Sequence, residues 1–132
     1  MLRHLSPSDA QYAGYVADMR RLVEGMTRVQ DAGGGFHVHM DDPSTPLEST
    51  GSAMFAMGVH EGIRRGWLPL SYAPAAERAW QFVTSNITPE GKIRRAYTGW
   101  AMPAEQGDMS MDKVEMGWIP GFILSAACEM TA

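Results

Sequence analysis

Apolar residues recur at steps of three and four positions in four stretches of the chain, and this spacing predicts four helices. The first helix is expected to be capped by Ser8 or Asp9 and to run to about Gln30. The third follows Ser71 and ends near Asn86. Both have a single apolar face, which indicates that each packs on one side only.

The second and fourth stretches are apolar around most of their circumference. The second helix is expected to begin within residues 48–51, with Ser49 or Thr50 as its cap, and to end at Gly66. The fourth begins at about Ile119, with Pro120 in its first turn. A helix without a polar stripe needs neighbours on several sides. These two helices are therefore predicted to be inner helices.

The elements occur as a repeat: a one-faced helix, a glycine turn, a short extended segment, a loop and an apolar helix. The extended segments are predicted at residues 36–39 and 92–95. Each unit is a helical hairpin, and stacked hairpins give either an open solenoid or a closed double ring. The apolar inner helices favour the ring. The chain is thus predicted to be all-α, a single domain over residues 1–132 containing about two hairpins.

A ring would place the loops at 36–47 and 96–117 at one end, here called the mouth, where the inner helices begin. Helix N-termini carry unpaired amide groups and partial positive charge. We expect the free amides of these helices to suit a ligand that carries a carboxylate. A closely packed mouth without a ligand is the alternative.

Composition excludes several other classes of protein. The net charge of −4 leaves no basic face for a nucleic-acid backbone. No stretch approaches the about 18 apolar residues of a membrane span, and the first residues lack the pattern of a signal peptide, so a cytoplasmic protein is expected. The single cysteine, Cys128, follows an apolar run and is expected to be a buried, inert thiol.

Several residues of the first mouth loop are candidates for substrate binding. His37 and His39 alternate on the extended segment, so they face opposite sides and are not a pair of metal ligands. Glu48 stands at a helix start, where a capping role competes with a role in binding. Asp41 and Asp42 precede a proline, which favours a turn over an acid and base pair.

The second mouth loop combines aromatic and acidic residues, a combination typical of carbohydrate binding. Trp100, Asp112 and Trp118 are the candidates there, and Asp108 and Glu115 lie in the same loop. Trp67 and Trp80 lie at a helix end and on an outer helix, and both are expected to pack. No motif for a metal, a phosphate loop or a nucleophilic serine is present, so no cofactor is expected.

Three stretches carry a resemblance to a known family: residues 30–37, residues 41–55 and residues 116–124. The middle stretch includes Glu-Ser-Thr-Gly-Ser-Ala-Met-Phe at positions 48–55. In order and spacing these stretches resemble the C-terminal portion of glycoside hydrolase families 105 and 88. The resemblance implies a six-hairpin α/α toroid that removes an unsaturated uronic acid from oligosaccharides derived from pectin or glycosaminoglycans.

In those families an aspartate protonates the double bond of the unsaturated sugar, and the hydrated product then breaks apart. The family's catalytic aspartate belongs to the N-terminal part of the toroid, and no residue here matches it. No catalytic residue is therefore assigned, and the isolated chain is expected to be inactive. Its expected partners are an oligosaccharide with a terminal unsaturated uronic acid, and either further copies or a chain with the missing hairpins. The alternatives are a separate carbohydrate-binding or oligomerising module and a plain helical interaction domain.

Overall fold

The structure is a computed structural model that describes residues 2–96 and 119–131. Its elements in chain order are a 3-10 turn (Leu2–His4), α1 (Tyr12–Arg28), β1 (Phe36–His37), β2 (Leu47–Glu48), α2 (Ser49–Arg64), a second 3-10 turn (Leu70–Tyr72), α3 (Ala73–Ser85) and α4 (Ile119–Met130). The four predicted helices are confirmed. Along the chain they follow the predicted order of two hairpins, with α1 before α2 and α3 before α4.

Helix α2 lies at the centre and packs against both α3 and α4. Most of its circumference is buried, as predicted for an inner helix. Two groups of buried side chains surround it. The first comprises Val23, Phe36, Phe55, Ala56, Val59, Leu68, Ala75, Ala76 and Ala79, and the second comprises Ala53, Phe82, Val83, Ile123 and Ala126. The buried residues of α3 in the first group are alanines, whose small side chains let the helices approach closely. The ring centroids of Phe36 and Phe55 lie 4.7 Å apart.

The predicted cap of α1 is wrong. The residue at the cap position is Gln11, and its side chain accepts no hydrogen bond from a backbone N–H of the first turn. The carboxylate of Asp9 instead accepts from the backbone N–H of Ser6 at 2.8 Å, on the side away from the helix. Asp9 therefore closes a turn that precedes α1. The helix begins at Tyr12, three residues after Asp9, so the Asp9 side chain does not cap it.

The prediction of a buried Cys128 is also wrong, because its side chain is exposed. Helix α4 buries Ile123 and Ala126 against the second core group. Cys128 is two positions beyond Ala126, which places it on the opposite face of a helix with 3.6 residues per turn. The apolar run suggested burial all round, but α4 packs on one side within this chain.

The two tryptophans expected to pack do so. Trp67 is buried, and its indole N–H donates to the hydroxyl of Tyr12 at 2.7 Å. Trp80 lies partly buried against both core groups. These side chains hold α1 and α3 against the rest of the fold and are not part of the mouth.

A charged cluster fastens the end of α2 to α4. Glu61 is 6% exposed and forms ion pairs with Arg64 and Arg65. Arg64 also donates to Glu129 of α4 at 3.0 Å. Burial alone would raise the pKa of the buried carboxyl, but its hydrogen bonds with Arg65, Glu129 and Arg64 outweigh burial and lower that pKa to about 2.

Acid should therefore weaken the fold through Glu61. Its pKa in the folded chain lies below its ordinary value of 4.5, so its ionised form stabilises the fold above pH 4.5, and this contribution is lost as the pH falls toward 2. We expect the urea midpoint of the wild type to fall over that interval, and Glu61→Gln to show a smaller fall. Glu77→Gln, an exposed position on α3, is the control and should keep the wild-type slope. Equal slopes for all three proteins would contradict the assignment.

Candidate functional site

The start of α2 lies between two other segments of the chain. On one side β1 pairs with β2 in antiparallel register, with Phe36 opposite Glu48 and His37 opposite Leu47. On the other side the backbone N–H of Ser49 donates to the carbonyl of Arg95 at 2.7 Å. Three parts of the sequence thus meet at the start of α2.

The first turn of α2 is capped by Glu48, and not by Ser49 or Thr50 as predicted. The Glu48 carboxylate accepts from the backbone N–H groups of Thr50 at 2.6 Å and Gly51 at 2.5 Å. Glu48 has extended backbone angles, which let its side chain fold back over the turn. A negative side chain at this position also suits the positive end of the helix.

This cap overturns the expectation of free amides at the start of α2. The N–H groups of residues 50 and 51 are taken by Glu48, and that of residue 49 by Arg95. The first turn of α2 is therefore not an open site for an anion. A role of Glu48 in substrate binding stays a prediction, and its capping role is what the geometry shows.

A serine hydroxyl ties the strand to the helix. Ser52 donates to the carbonyl of Glu48 at 2.6 Å and accepts from the backbone N–H of Phe36 at 3.1 Å. Its side chain is fully buried, so both bonds are shielded from water. This pair of bonds fixes β1, and with it His37, against the first turn of α2.

His37, a predicted binding residue, has its ring held by the mouth loop. Its Nδ1 contacts the carbonyl oxygen of Thr45, which requires a proton on Nδ1. Its Nε2 lies 3.9 Å from a carboxylate oxygen of Asp31. The ring lines an open cleft of about 330 Å³ between the end of α1 and the mouth loop, together with Met40 and Asp41. The fixed tautomer leaves Nε2 for the cleft.

His39 differs from His37 in its surroundings. It lies beyond the end of β1 and is exposed, with its backbone N–H directed to the hydroxyl of Thr45 at 3.2 Å. Asp42 forms the turn that was predicted for it. Its carboxylate accepts from the hydroxyl and the backbone N–H of Ser44, and these bonds lower the pKa of Asp42.

Two arginines at the mouth were not predicted. The carbonyl of Arg94 accepts from the hydroxyl of Ser49 at 2.7 Å, and Arg95 accepts from the backbone of the same residue. Both arginine side chains are exposed. Arg95 has φ of +55°, a conformation rare for residues other than glycine. The repeat in the sequence could have indicated their position, since residues 92–95 correspond to the extended segment that carries His37.

The remaining predicted residues, Trp100, Asp112 and Trp118, lie outside the described residues, as do Asp108 and Glu115. Within residues 2–96 and 119–131, no group of three His, Cys, Asp or Glu side chains is arranged to hold a metal ion. No helix in this part of the chain has the length and apolarity to cross a membrane.

Comparison with known proteins identifies the family. The sequence matches Glycosyl Hydrolase Family 88 over residues 1–132. A glycosyl hydrolase family 88 structure from Bacteroides vulgatus has a TM-score of 0.88 and 25% sequence identity, covering 98% of this chain and 38% of that protein. A search of curated protein sequences gave no match.

Two further solved structures have the same fold. A possible member of family GH105 from Salmonella enterica serovar Paratyphi A has a TM-score of 0.82 and 24% identity, and covers 96% of this chain and 34% of its own. A polysaccharide lyase has a TM-score of 0.85 and 26% identity, and the match covers 98% of this chain and 37% of the lyase. The chain thus spans little more than a third of each of these proteins. It belongs to glycosyl hydrolase family 88, and its helices form about two hairpins of a six-hairpin α/α toroid.

Proposed function

We propose that the mouth of this chain binds the terminal unsaturated uronic acid of an oligosaccharide derived from pectin or glycosaminoglycans. The observation that supports this proposal is the meeting of three backbone segments at residues 47–49, which brings the strand that carries His37 and the backbone of two exposed arginines, Arg94 and Arg95, to the start of α2. Family membership supports a carbohydrate as the ligand. The choice of a uronic acid rests on the positive side chains and on the sequence resemblance to unsaturated uronyl hydrolases.

The chemistry of a uronic acid suits this arrangement. A carboxylate is bound best by guanidinium groups, which donate two parallel N–H bonds to its two oxygens. The imidazole of His37 adds a group that accepts a hydrogen bond from a sugar hydroxyl at Nε2, since Nδ1 is held by Thr45. The N-terminal amides of α2 do not take this role, because Glu48 already occupies them. Trp100, Asp112 and Trp118 remain our candidates for stacking on the sugar ring and for contacts with its hydroxyls.

We further propose that the 132-residue chain binds but does not hydrolyse such a sugar. In the enzymes that its sequence resembles, an aspartate from another part of the toroid protonates the double bond, and no residue here matches it. Turnover would then need the hairpins that carry this acid. The absorbance of the unsaturated bond should therefore stay constant when a uronyl disaccharide is incubated with the pure chain.

Calorimetric titration with an unsaturated digalacturonate tests the binding. We expect Arg94→Ala and Arg95→Ala each to weaken binding by roughly tenfold, which corresponds to about 1.4 kcal/mol. Arg21→Ala is the matched control, because this exposed arginine on α1 pairs with Asp18 and lies outside the mouth. His37→Ala should weaken binding as well, whereas His4→Ala, an exposed histidine in the first 3-10 turn, should not.

Two results would contradict the proposal. One is an affinity for a neutral disaccharide equal to that for the unsaturated digalacturonate, since the carboxylate would then make no contribution. The other is equal weakening by Arg21→Ala and Arg95→Ala, which would indicate general electrostatic attraction without a site.

A further inference from the structure

Two hydrogen-bond acceptors lie side by side in the cleft between the end of α1 and the mouth loop. The Nε2 atom of His37 is 3.9 Å from the Oδ2 atom of Asp31, and both residues line the cleft. Because the proton of the neutral ring is on Nδ1, which contacts the carbonyl of Thr45, Nε2 presents a lone pair. An ionised carboxylate accepts hydrogen bonds and donates none. The two atoms therefore have no hydrogen to share between them.

Each acceptor is held in place through other atoms of its residue. The Oδ1 atom of Asp31 accepts from the backbone N–H of Gly33 at 2.7 Å, and the backbone N–H of Asp31 donates to the carbonyl of Gly35 at 3.0 Å. The side chain of His37 is 13% exposed and is fixed at Nδ1. Both acceptors are thus oriented before a ligand arrives, which reduces the entropy lost on binding.

The separation of the two acceptors suits a single donor atom that carries at least two hydrogens. A donor at about 2.8 Å from each acceptor would span 3.9 Å with an angle of roughly 90°. This angle is close enough to tetrahedral for both hydrogen bonds to stay nearly linear. A sugar hydroxyl has one hydrogen and can satisfy one acceptor, whereas an ammonium group has three and can satisfy both.

The charges along the cleft favour a cation. Among the described residues that line it, Asp31 and Asp41 are acidic and Arg28 is basic. Arg28 already pairs with Glu24 on α1, so its charge is matched outside this group. A positively charged donor would form charge-assisted hydrogen bonds, which are stronger than bonds between neutral groups.

The size of the cleft indicates what carries the amine. Its volume of about 330 Å³ is within the range of pockets that hold small organic ligands and far exceeds that of one water molecule. Met40 and Pro43 add apolar surface to its wall. Such surface suits the C–H face of a sugar ring, which would lie beside an amino group held by His37 and Asp31.

We propose that this cleft binds the protonated amino group of an amino sugar that follows the terminal uronic acid, with Nε2 of His37 and Oδ2 of Asp31 each accepting one N–H bond. This inference rests on the proposed function, because His37 belongs to the proposed sugar site. An N-acetylated amino sugar is a poor ligand for the pair, since its amide has a single N–H and no charge. The substrate class is thereby narrowed to fragments with an unsubstituted amino sugar.

Calorimetric titration of the 132-residue chain with three unsaturated disaccharides tests the inference. All three carry the same unsaturated glucuronic acid, and the second sugar is glucosamine, N-acetylglucosamine or glucose. We expect the glucosamine disaccharide to bind roughly tenfold more tightly than the other two, because it alone makes charge-assisted bonds to both acceptors. N-α-acetyl-lysine methylamide, an amine without a sugar, should bind far more weakly than the glucosamine disaccharide.

Asp31→Asn tests the residue assignment. It keeps the shape of the side chain and an oxygen for the bond from Gly33, but it removes the charge and places an amide N–H₂ beside Nε2 of His37. The preference for glucosamine over glucose should disappear. Asp18→Asn is the matched control and should keep the preference, because this exposed residue of α1 pairs with Arg21 outside the cleft. Circular dichroism establishes that each variant is folded, and the comparison of ligands on the wild type needs no variant.

The possible failures of the two proposals differ. Equal affinities of the wild type for the glucosamine and N-acetylglucosamine disaccharides would overturn this inference and leave the proposed uronic acid site intact. A preference that survives in folded Asp31→Asn would overturn the assignment to this cleft. Binding of the lysine derivative as tight as that of the glucosamine disaccharide would overturn the assignment of a sugar. Absence of binding by all three disaccharides would contradict the proposed function and this inference together.

Discussion

Replacing Gly34 by alanine is expected to lower the free energy of unfolding by about 3 kcal/mol or more. Gly34 has φ of +91°, where a side chain is strained whatever space surrounds it. An added Cβ would also lie 2.3 Å from the carbonyl oxygen of Arg78 and 2.6 Å from its carbon. These are backbone atoms of α3 and do not move like a flexible side chain. The turn before β1 and helix α3 would have to separate.

Gly25→Ala provides the control for that experiment. Gly25 lies within α1, and nothing stands within 4 Å of the position where its Cβ would be. Alanine favours a helix by up to about 1 kcal/mol over glycine, so this variant should be slightly more stable than the wild type. Urea unfolding followed by circular dichroism measures both. Similar midpoints for Gly34→Ala and the wild type would show that α3 does not approach the turn as described.

Removal of the Glu48 carboxylate should cost about 2 kcal/mol of stability, because two amides at the start of α2 would lose a charged acceptor. Glu48 is 9% exposed, so water would replace its bonds only in part. We expect Glu48→Ala to lower the urea midpoint clearly. Glu77→Ala, on the exposed surface of α3, should stay within about 0.5 kcal/mol of the wild type.

Thermal unfolding of the same pair gives an independent check. If Glu48→Ala and Glu77→Ala melt together, the cap contributes nothing measurable and the first turn of α2 is held by its contacts with residues 36 and 95 alone. In that case a binding role for Glu48 would regain weight, since a carboxylate without a structural task would then lie at the mouth.

The helices could be predicted from the sequence because their signal is local. The three- and four-residue spacing of apolar positions, with Gly66 closing α2 and Pro74 in the first turn of α3, depends on neighbours along the chain. The match of the middle stretch at residues 48–55 to a known family was likewise local, and the resemblance is confirmed. The prediction of a single domain over residues 1–132 stays a prediction.

The cap of α2 could not be predicted in the same way. Glu48, Ser49 and Thr50 are consecutive residues that can each accept a hydrogen bond from an amide. The choice among them depends on the pairing of Leu47 and Glu48 with β1, whose paired residues lie ten and twelve positions earlier. That pairing extends the backbone at Glu48 and so turns its side chain toward the helix.

The arginines at the mouth were missed for a similar reason. Nothing near Arg94 or Arg95 in the sequence indicates that their carbonyls meet Ser49, which is 45 residues away from Arg94. The exposure of Cys128 also depends on distant contacts, since only the packing of α4 against α2 decides which of its faces is covered. Long-range contacts thus account for these errors, whereas the error at the cap of α1 is local, because the Asp9 carboxylate accepts from Ser6.

The hydrogen bonds that join Ser49 to residues 94 and 95 have a consequence for the energetics of recognition. They order the backbone of both arginines during folding, before any sugar arrives. The loss of backbone entropy that a mobile loop would suffer on binding is therefore already included in the folding equilibrium. In the proposed binding, ordering is then confined to the side chains of Arg94 and Arg95, so more of each contact is retained as affinity.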